Sequence, residues 1–472
     1  MAAFPQGAAY ARQEGVRSGM KEIRLLSTSA ILGYGFPEAS LKAGMARAPH
    51  IIGVDGGSVD PGPHYLGAGV PFCSTMAIKR DLRLMLRAAI GAGIPLMIGT
   101  SGGAGGDPHL DLTAQLVRDI AAEEGLHFRM ALIRAEPPRA ELQRRLAAGR
   151  IHPLSNQPAL SSETLDRASR VVAMMGPEPF MEALDNGAQV ILAGRASDPA
   201  PWAAAAIRAQ LPPAPAWYAG KMLECGATPS IPKGHDCLLV TVREDGVECE
   251  PMNPIRRCTP LSIANHSLHE NSSPIHHIEP GGMLDTSDCR FDALSDRAVR
   301  ISGMRWTPAS QYTVKLEGVE MAGYRSISIC GTRDPLLIAR LPLFLEEVRG
   351  IVREKAQAFG AGPESYRLTI RTYGLNGVMG AREPVHEVAG HEVGFVIEVI
   401  ADTQEIAAAV LGIARTNMLH TDFPGRLCRE GNMAFPFSPS DIPVGPVYRF
   451  SIYHVLELDD PREIFPISYE EV

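Results

Sequence analysis

The stretch IPLMIGTSGGAGGDPHLD, residues 94–111, decides the fold. Residues 94–99 form an apolar run of the length of a buried strand, and Gly99 ends it. Gly102, Gly103, Gly105 and Gly106 follow. Then DPHLDLTAQLVRDIAAEEG reads as a helix, with Asp107 as N-cap, Pro108 at the first helical position and Gly125 as the stop. Such a strand, glycine turn and helix leaves backbone N–H groups and the positive end of a helix dipole facing one point, which suits an anion. Ser101, Gly102, Gly103, Gly105 and Gly106 are therefore candidate substrate-binding residues, with Asp107 a candidate acid or base. The spacing is neither the dinucleotide fingerprint nor a P-loop. The plainer reading is a tight turn that needs glycine.

Working outward, strand and helix alternate. Residues 21–32, 50–57, 128–136, 170–176 and 189–194 read as further strands, and 74–87, 138–149 and 177–187 as helices. That alternation predicts a parallel sheet covered on both faces. The expectation is an α/β protein whose N-terminal domain, residues 21–236, is a doubly wound, mostly parallel, Rossmann-like sheet preceded by an arm at 1–20. Residues 210–236 read as a proline-punctuated crossover that carries Lys221, Glu224 and Cys225. A cysteine with no obvious paired histidine reads there as an inert thiol.

Open α/β sheets bind ligands outside the carboxyl ends of their strands. Three strand ends carry similar chemistry: IGVDGG with Asp55, GTSGGAGGD with Ser101 and Asp107, and LAGRASDP with Arg195, Ser197 and Asp198. Asp is also a common helix cap, so one such turn would mean little. Together they predict a polar cleft in which Asp55, Asp107 and Asp198 act as acid, base or metal ligand. Arg195 and Ser197 would then hold substrate, and His64 or His266 would donate a proton. Residues 261–291 are rich in histidine and carboxylates. A helix over SIANHSLHE would set His266, His269 and Glu270 on one side, a candidate divalent-metal set that matches no known zinc spacing. Exposed loop histidines are the plainer reading.

The later chain has a different grammar. CLLVTVREDGVECEPM (237–252) reads as a hairpin, 311–318 and 323–331 as alternating strands, and 335–360 as one long helix. From the strand at 323 onward the order is β-α-β-β-α-β, the ferredoxin-like split pattern. A second, α+β domain is therefore placed at 237–472.

The chain has 472 residues, a formal net charge of −8 and 21% charged residues. This balance gives no footprint for nucleic acid. Eight cysteines without a CxxC pair suit reduced thiols in the cytoplasm. The first twenty residues lack the apolar core of a signal peptide, and no apolar run approaches the ~20 residues of a membrane span. There is no nicotinamide, P-loop or PLP signature. A homo-oligomer is the base-rate expectation.

Several phrases, VDGGSVDPGPHYLG, IGTSGGAGGDPH, ILAGRASDP, NHSLHEN, EPGGMLD, YTVKLEG and AFPFSPSDIPVGP, together resemble the acyclic terpene utilisation family, the AtuA-like proteins. The resemblance runs from about 21 to 458. It implies a cytoplasmic catabolic protein acting on a small carboxylic acid or its coenzyme A thioester, and carries over no catalytic residue. Three functions stay open. One is lyase or hydratase chemistry by acid–base transfer. Another is hydrolysis with Ser101 or Ser197 as nucleophile, since GTSGG fits GxSxG after a strand. The third is an acyl-ligand-binding subunit without catalysis.

Overall fold

The computed structural model describes residues 22–269, 272–428 and 430–472. The expected arm at 1–20 and Glu270 lie outside them. By its contacts the chain divides into two units, residues 1–320 with 450–472, and residues 321–449.

The first unit is built on a mixed ten-stranded sheet. At its centre Glu22–Ser27, Ile51–Asp55, Leu96–Gly99, Val190–Ala193 and Arg129–Ile133 lie side by side in that order, all parallel. Antiparallel strands flank this centre. Leu238–Arg243, Gly246–Pro251, Val299–Ser302 and Arg290–Ala293 extend it on one side, and Ile467–Glu471 on the other. The sheet is therefore mixed where a mostly parallel one was expected. The hairpin expected to open the second domain instead pairs along the first strand, with Leu25 opposite Val240. Contacts divide the chain at 320/321 and 449/450, not at 236/237. Residues 170–176 also leave the predicted sheet, because Ala168–Ala173 pairs with the long strand Tyr312–Thr332. That strand is one element where two were expected.

Alternation along the central strands sorts their side chains into two cores. Leu25, Met97, Ala131 and Ile191 enter one, and Leu26, Ile98, Met130 and Leu192 enter the other. Successive residues of a strand face opposite sides, so each core covers one face of the sheet. This is why the strands read as unbroken apolar runs. Helices Thr75–Ala92 and Asp107–Glu124 contribute to the second core. Helices Glu178–Asp185, Ala200–Arg208 and Pro213–Leu223 contribute to the first. The last of these lies in the segment read as a crossover, and residues 214–223 are buried throughout.

In the second unit, Tyr366–Tyr373, Val393–Ala401 and the latter part of Tyr312–Thr332 pair antiparallel. Helices Leu341–Ala358 and Gln404–His420 supply Val348, Val352, Val410 and Leu411 to a third core with Phe395 and Ile397. The long helix expected at 335–360 is broken into Pro335–Ile338 and Leu341–Ala358. Pro342 sits in the first turn of the second piece, where its missing N–H costs nothing, whereas a helix interior would lose a hydrogen bond there. Among the described residues no helix is long and apolar enough to cross a membrane.

Candidate active site

Register brings the strand ends together. Asp55 stands opposite Gly99, and Ile98 opposite Leu192. The turns that follow these strands therefore crowd one edge of the sheet, and glycine allows it. A Cβ on Gly56 would sit 2.3 Å from the Thr100 carbonyl oxygen, and one on Gly105 2.3 Å from the Arg195 nitrogen. Gly105 also has a φ of +69°, a conformation other residues adopt only with strain.

A cleft of about 320 Å³ opens at this edge. Asp55, Asp60, Asp198, Glu224, Cys225 and His269 line it. Asp55 comes from the end of Ile51–Asp55, and Asp198 from the turn after Val190–Ala193. Glu224 and Cys225 follow the buried helix Pro213–Leu223, and His269 follows helix Pro260–Ser267.

The two aspartates have unequal surroundings. Asp55 is 6% exposed, and among the described residues its Oδ1 has no hydrogen-bond partner. Burial, then the neighbouring Asp198, pushes its carboxyl well above the usual range. Asp198 is also raised by burial, but Arg195 opposes the shift through a 3.1 Å contact from Nη1 to Oδ1. Arg195 donates from Nε to Glu317 Oε2 at 2.7 Å and from Nη1 to the Ala196 carbonyl at 2.8 Å. Lys315 Nζ lies 2.8 Å from the other oxygen of Glu317. Burial opposes charge on both Arg195 and Glu317. Their pairing prevails, holding Arg195 above and Glu317 below their ordinary values.

Deeper in the site, Lys221 Nζ donates to Glu224 Oε1 at 2.6 Å. Burial raises Glu224 to about 8, against the pull of Lys221. Ser197 donates from Oγ to Glu279 Oε2, and burial carries Glu279 to about 7 despite that bond. His266 is 4% exposed, and burial lowers it to about 3, so its imidazole is neutral.

Several expected residues stand elsewhere. Asp107 does not line the cleft. It is the first residue of helix Asp107–Glu124, which Gly106 caps, and it pairs with Arg134 at 3.3 Å near the surface. The glycine turn does not present an open ring of amides. Thr100, Ser101, Gly103 and Gly105 donate their N–H groups to the carbonyls of Gly194, Ala193, Thr100 and Ser101. Gly102 is pressed against His109, which explains the glycine without a ligand. Ser101 is fully buried, and among the described residues its Oγ has no hydrogen-bond partner. Arg195, at 3% exposure, is paired with Glu317 and Asp198. His64 is exposed and outside the lining. The helix carrying His266 ends at Ser267, so His269 lies beyond it, with the two rings stacked 5.4 Å apart. The expected metal set thus keeps two described members, and Glu270 lies outside the described residues.

Lys221, Glu224 and Cys225 lie in the segment that reads as a crossover in the sequence, and Glu317 carries no local signal there. A signal for Lys221 and Glu224 is present. A lysine and a glutamate three residues apart interrupt the otherwise apolar PAPAWYAGKMLECG, as expected when a buried helix carries an internal ion pair.

No curated protein and no solved structure matches the chain. Residues 85–230, which contain the glycine turn, Arg195, Asp198, Glu224 and Cys225, match the family model of the acyclic terpene utilisation family protein AtuA, and over that stretch this bears out the resemblance read from the sequence.

Proposed function

We propose that the chain is a catabolic enzyme of acyclic terpene utilisation that adds or removes water next to an acyl group, a lyase of the hydratase type. The observation that carries this reading is the pair Asp55 and Asp198 in one cleft with unequal partners. Two interacting carboxyls in different environments share a proton unevenly, which yields an acid and a base from one residue type. Asp198, oriented by Arg195, is the base that takes the proton from the carbon next to the acyl group. Asp55 holds the shared proton and delivers it to the departing hydroxyl, which leaves as water while a C=C bond forms. Hydration is the same path reversed.

The carboxyl-lined wall also bears on substrate. With Arg195 engaged and Asp55 holding the proton, a free carboxylate would meet Asp60 and Asp198 across a small space. Like charges repel there, so the uncharged thioester end of an acyl-CoA is favoured over the free acid.

The test is a panel of short-chain enoyl- and hydroxyacyl-CoA thioesters incubated with the protein in deuterated water. Deuterium uptake next to the acyl group, with interconversion of the two series, is the expected outcome. Release of free coenzyme A without exchange would make the protein a hydrolase. Thermal stabilisation by a thioester with neither reaction would make it a ligand-binding subunit.

A further inference from the structure

Glu224, Cys225 and His266 each bring a metal-ligating atom to one place, and these atoms lie within 4.8 Å of one another. We propose that they form a site for a borderline-soft divalent transition-metal ion such as Zn²⁺, open toward the cleft. The proposal concerns metal binding and stands independently of the reaction argued above.

Three observations support it. First, the donor set is mixed. One thiolate, one imidazole and one carboxylate match the preferences of zinc and not those of calcium or magnesium, which take oxygen. Second, His266 is 4% exposed, and among the described residues its Nε2 has no hydrogen-bond partner. A buried imidazole nitrogen without a partner costs free energy, which a bound metal ion would relieve. Third, the ligands are held by the fold. Glu224 and Cys225 directly follow helix Pro213–Leu223, and His266 is in the last turn of helix Pro260–Ser267. A buried 2.6 Å hydrogen bond between Tyr218 and the Ser267 hydroxyl ties these helices together one residue from His266. Glu224 and Cys225 both line the cleft. Three protein ligands with a position facing a cleft is the arrangement of catalytic zinc, where the fourth ligand is water or substrate. A cation here would also offset the Asp55, Asp60 and Asp198 carboxyls facing the same space.

The test uses the full chain. Protein equilibrated with Zn²⁺ and desalted is assayed by elemental analysis. A Co²⁺-loaded sample is examined for thiolate-to-cobalt charge-transfer absorption. The expected result is one zinc per chain and a clear charge-transfer band. Cys225→Ser and His266→Gln should each weaken zinc by more than about tenfold in competition with a chromophoric chelator, by analogy with the losses that accompany weaker perturbations of metal sites. Retention of less than about a tenth of an equivalent, or undiminished zinc in the Cys225→Ser/His266→Gln double variant, would overturn the proposal. Should the variants not fold, the cobalt spectrum of the unaltered protein decides, and a spectrum without the thiolate band overturns it.

Discussion

The turn after Leu96–Gly99 and the turn after Val190–Ala193 are close relatives in sequence. Each runs from a buried strand through small residues to an aspartate, and each aspartate has an arginine partner. In the first, Asp107 starts a helix and meets Arg134, whose side chain is 36% exposed. In the second, Asp198 lines the cleft and meets Arg195, whose side chain is 4% exposed. Exposed ion pairs contribute little, because water already solvates both partners. A buried guanidinium that also holds Glu317 fixes its carboxylate and shapes its proton affinity. Local grammar locates a strand end; burial of the partner decides whether the acid there can do chemistry.

The sharpest way to break this comparison is kinetic. Asp198→Asn and Asp55→Asn should each lower kcat on an acyl-CoA substrate by about 10²–10⁴, the usual worth of a positioned acid or base. Asp107→Asn should leave kcat within about twofold, since it removes only a surface pair. Equal losses at all three positions would return Asp107 to the site.

Stability gives the next contrast. Arg195→Met removes one of the two cations paired with Glu317 among the described residues, and breaking a buried ion pair costs about 3–5 kcal/mol. Arg134→Met should cost no more than about 1 kcal/mol. Urea titration of the two variants against the parent measures both, and similar midpoints would contradict the burial argument.

The smallest effect is set by pH. Glu279, raised from 4.5 to about 7, binds its proton more tightly when folded. Its stabilising contribution is fully present below the unfolded value near 4.5 and is lost as pH rises through 7. Glu279→Gln should therefore match the parent most closely near pH 4 and gain on it by up to about 3 kcal/mol by pH 8, somewhat less because the residue is partly exposed. A gap independent of pH, read from urea midpoints at the two pH values, would place Glu279 in a polar, solvated setting.

The central strands were legible because both faces of each are buried, leaving short apolar runs with no polar register to confuse. The helix stop at Gly125 was legible for a similar reason: that glycine takes a left-handed conformation that marks a helix end, whereas the helix read over 74–87 runs on to Ala92 and Gly93. The hairpin at Leu238–Pro251 was visible as a hairpin but not as part of the first sheet, because alternation shows pairing within the hairpin and not the outer partner Glu22–Ser27. The site was half visible. Asp55 and Asp198 stood at strand ends. Glu224 and His266 arrive from helices distant in sequence, and Glu317 from the long strand Tyr312–Thr332.

By itself the sequence determined the local units: which runs are strands, where glycine must turn the chain, and which strand ends carry acids. These follow from side-chain periodicity and backbone sterics, which act over a few residues. Only the tertiary structure decided that Val190–Ala193 inserts between Leu96–Gly99 and Arg129–Ile133, that Arg195 faces inward to Glu317, and that Glu224, Cys225 and His266 meet. Those outcomes depend on strand order and on which charges lose their water, and both are settled by packing among segments far apart in the chain.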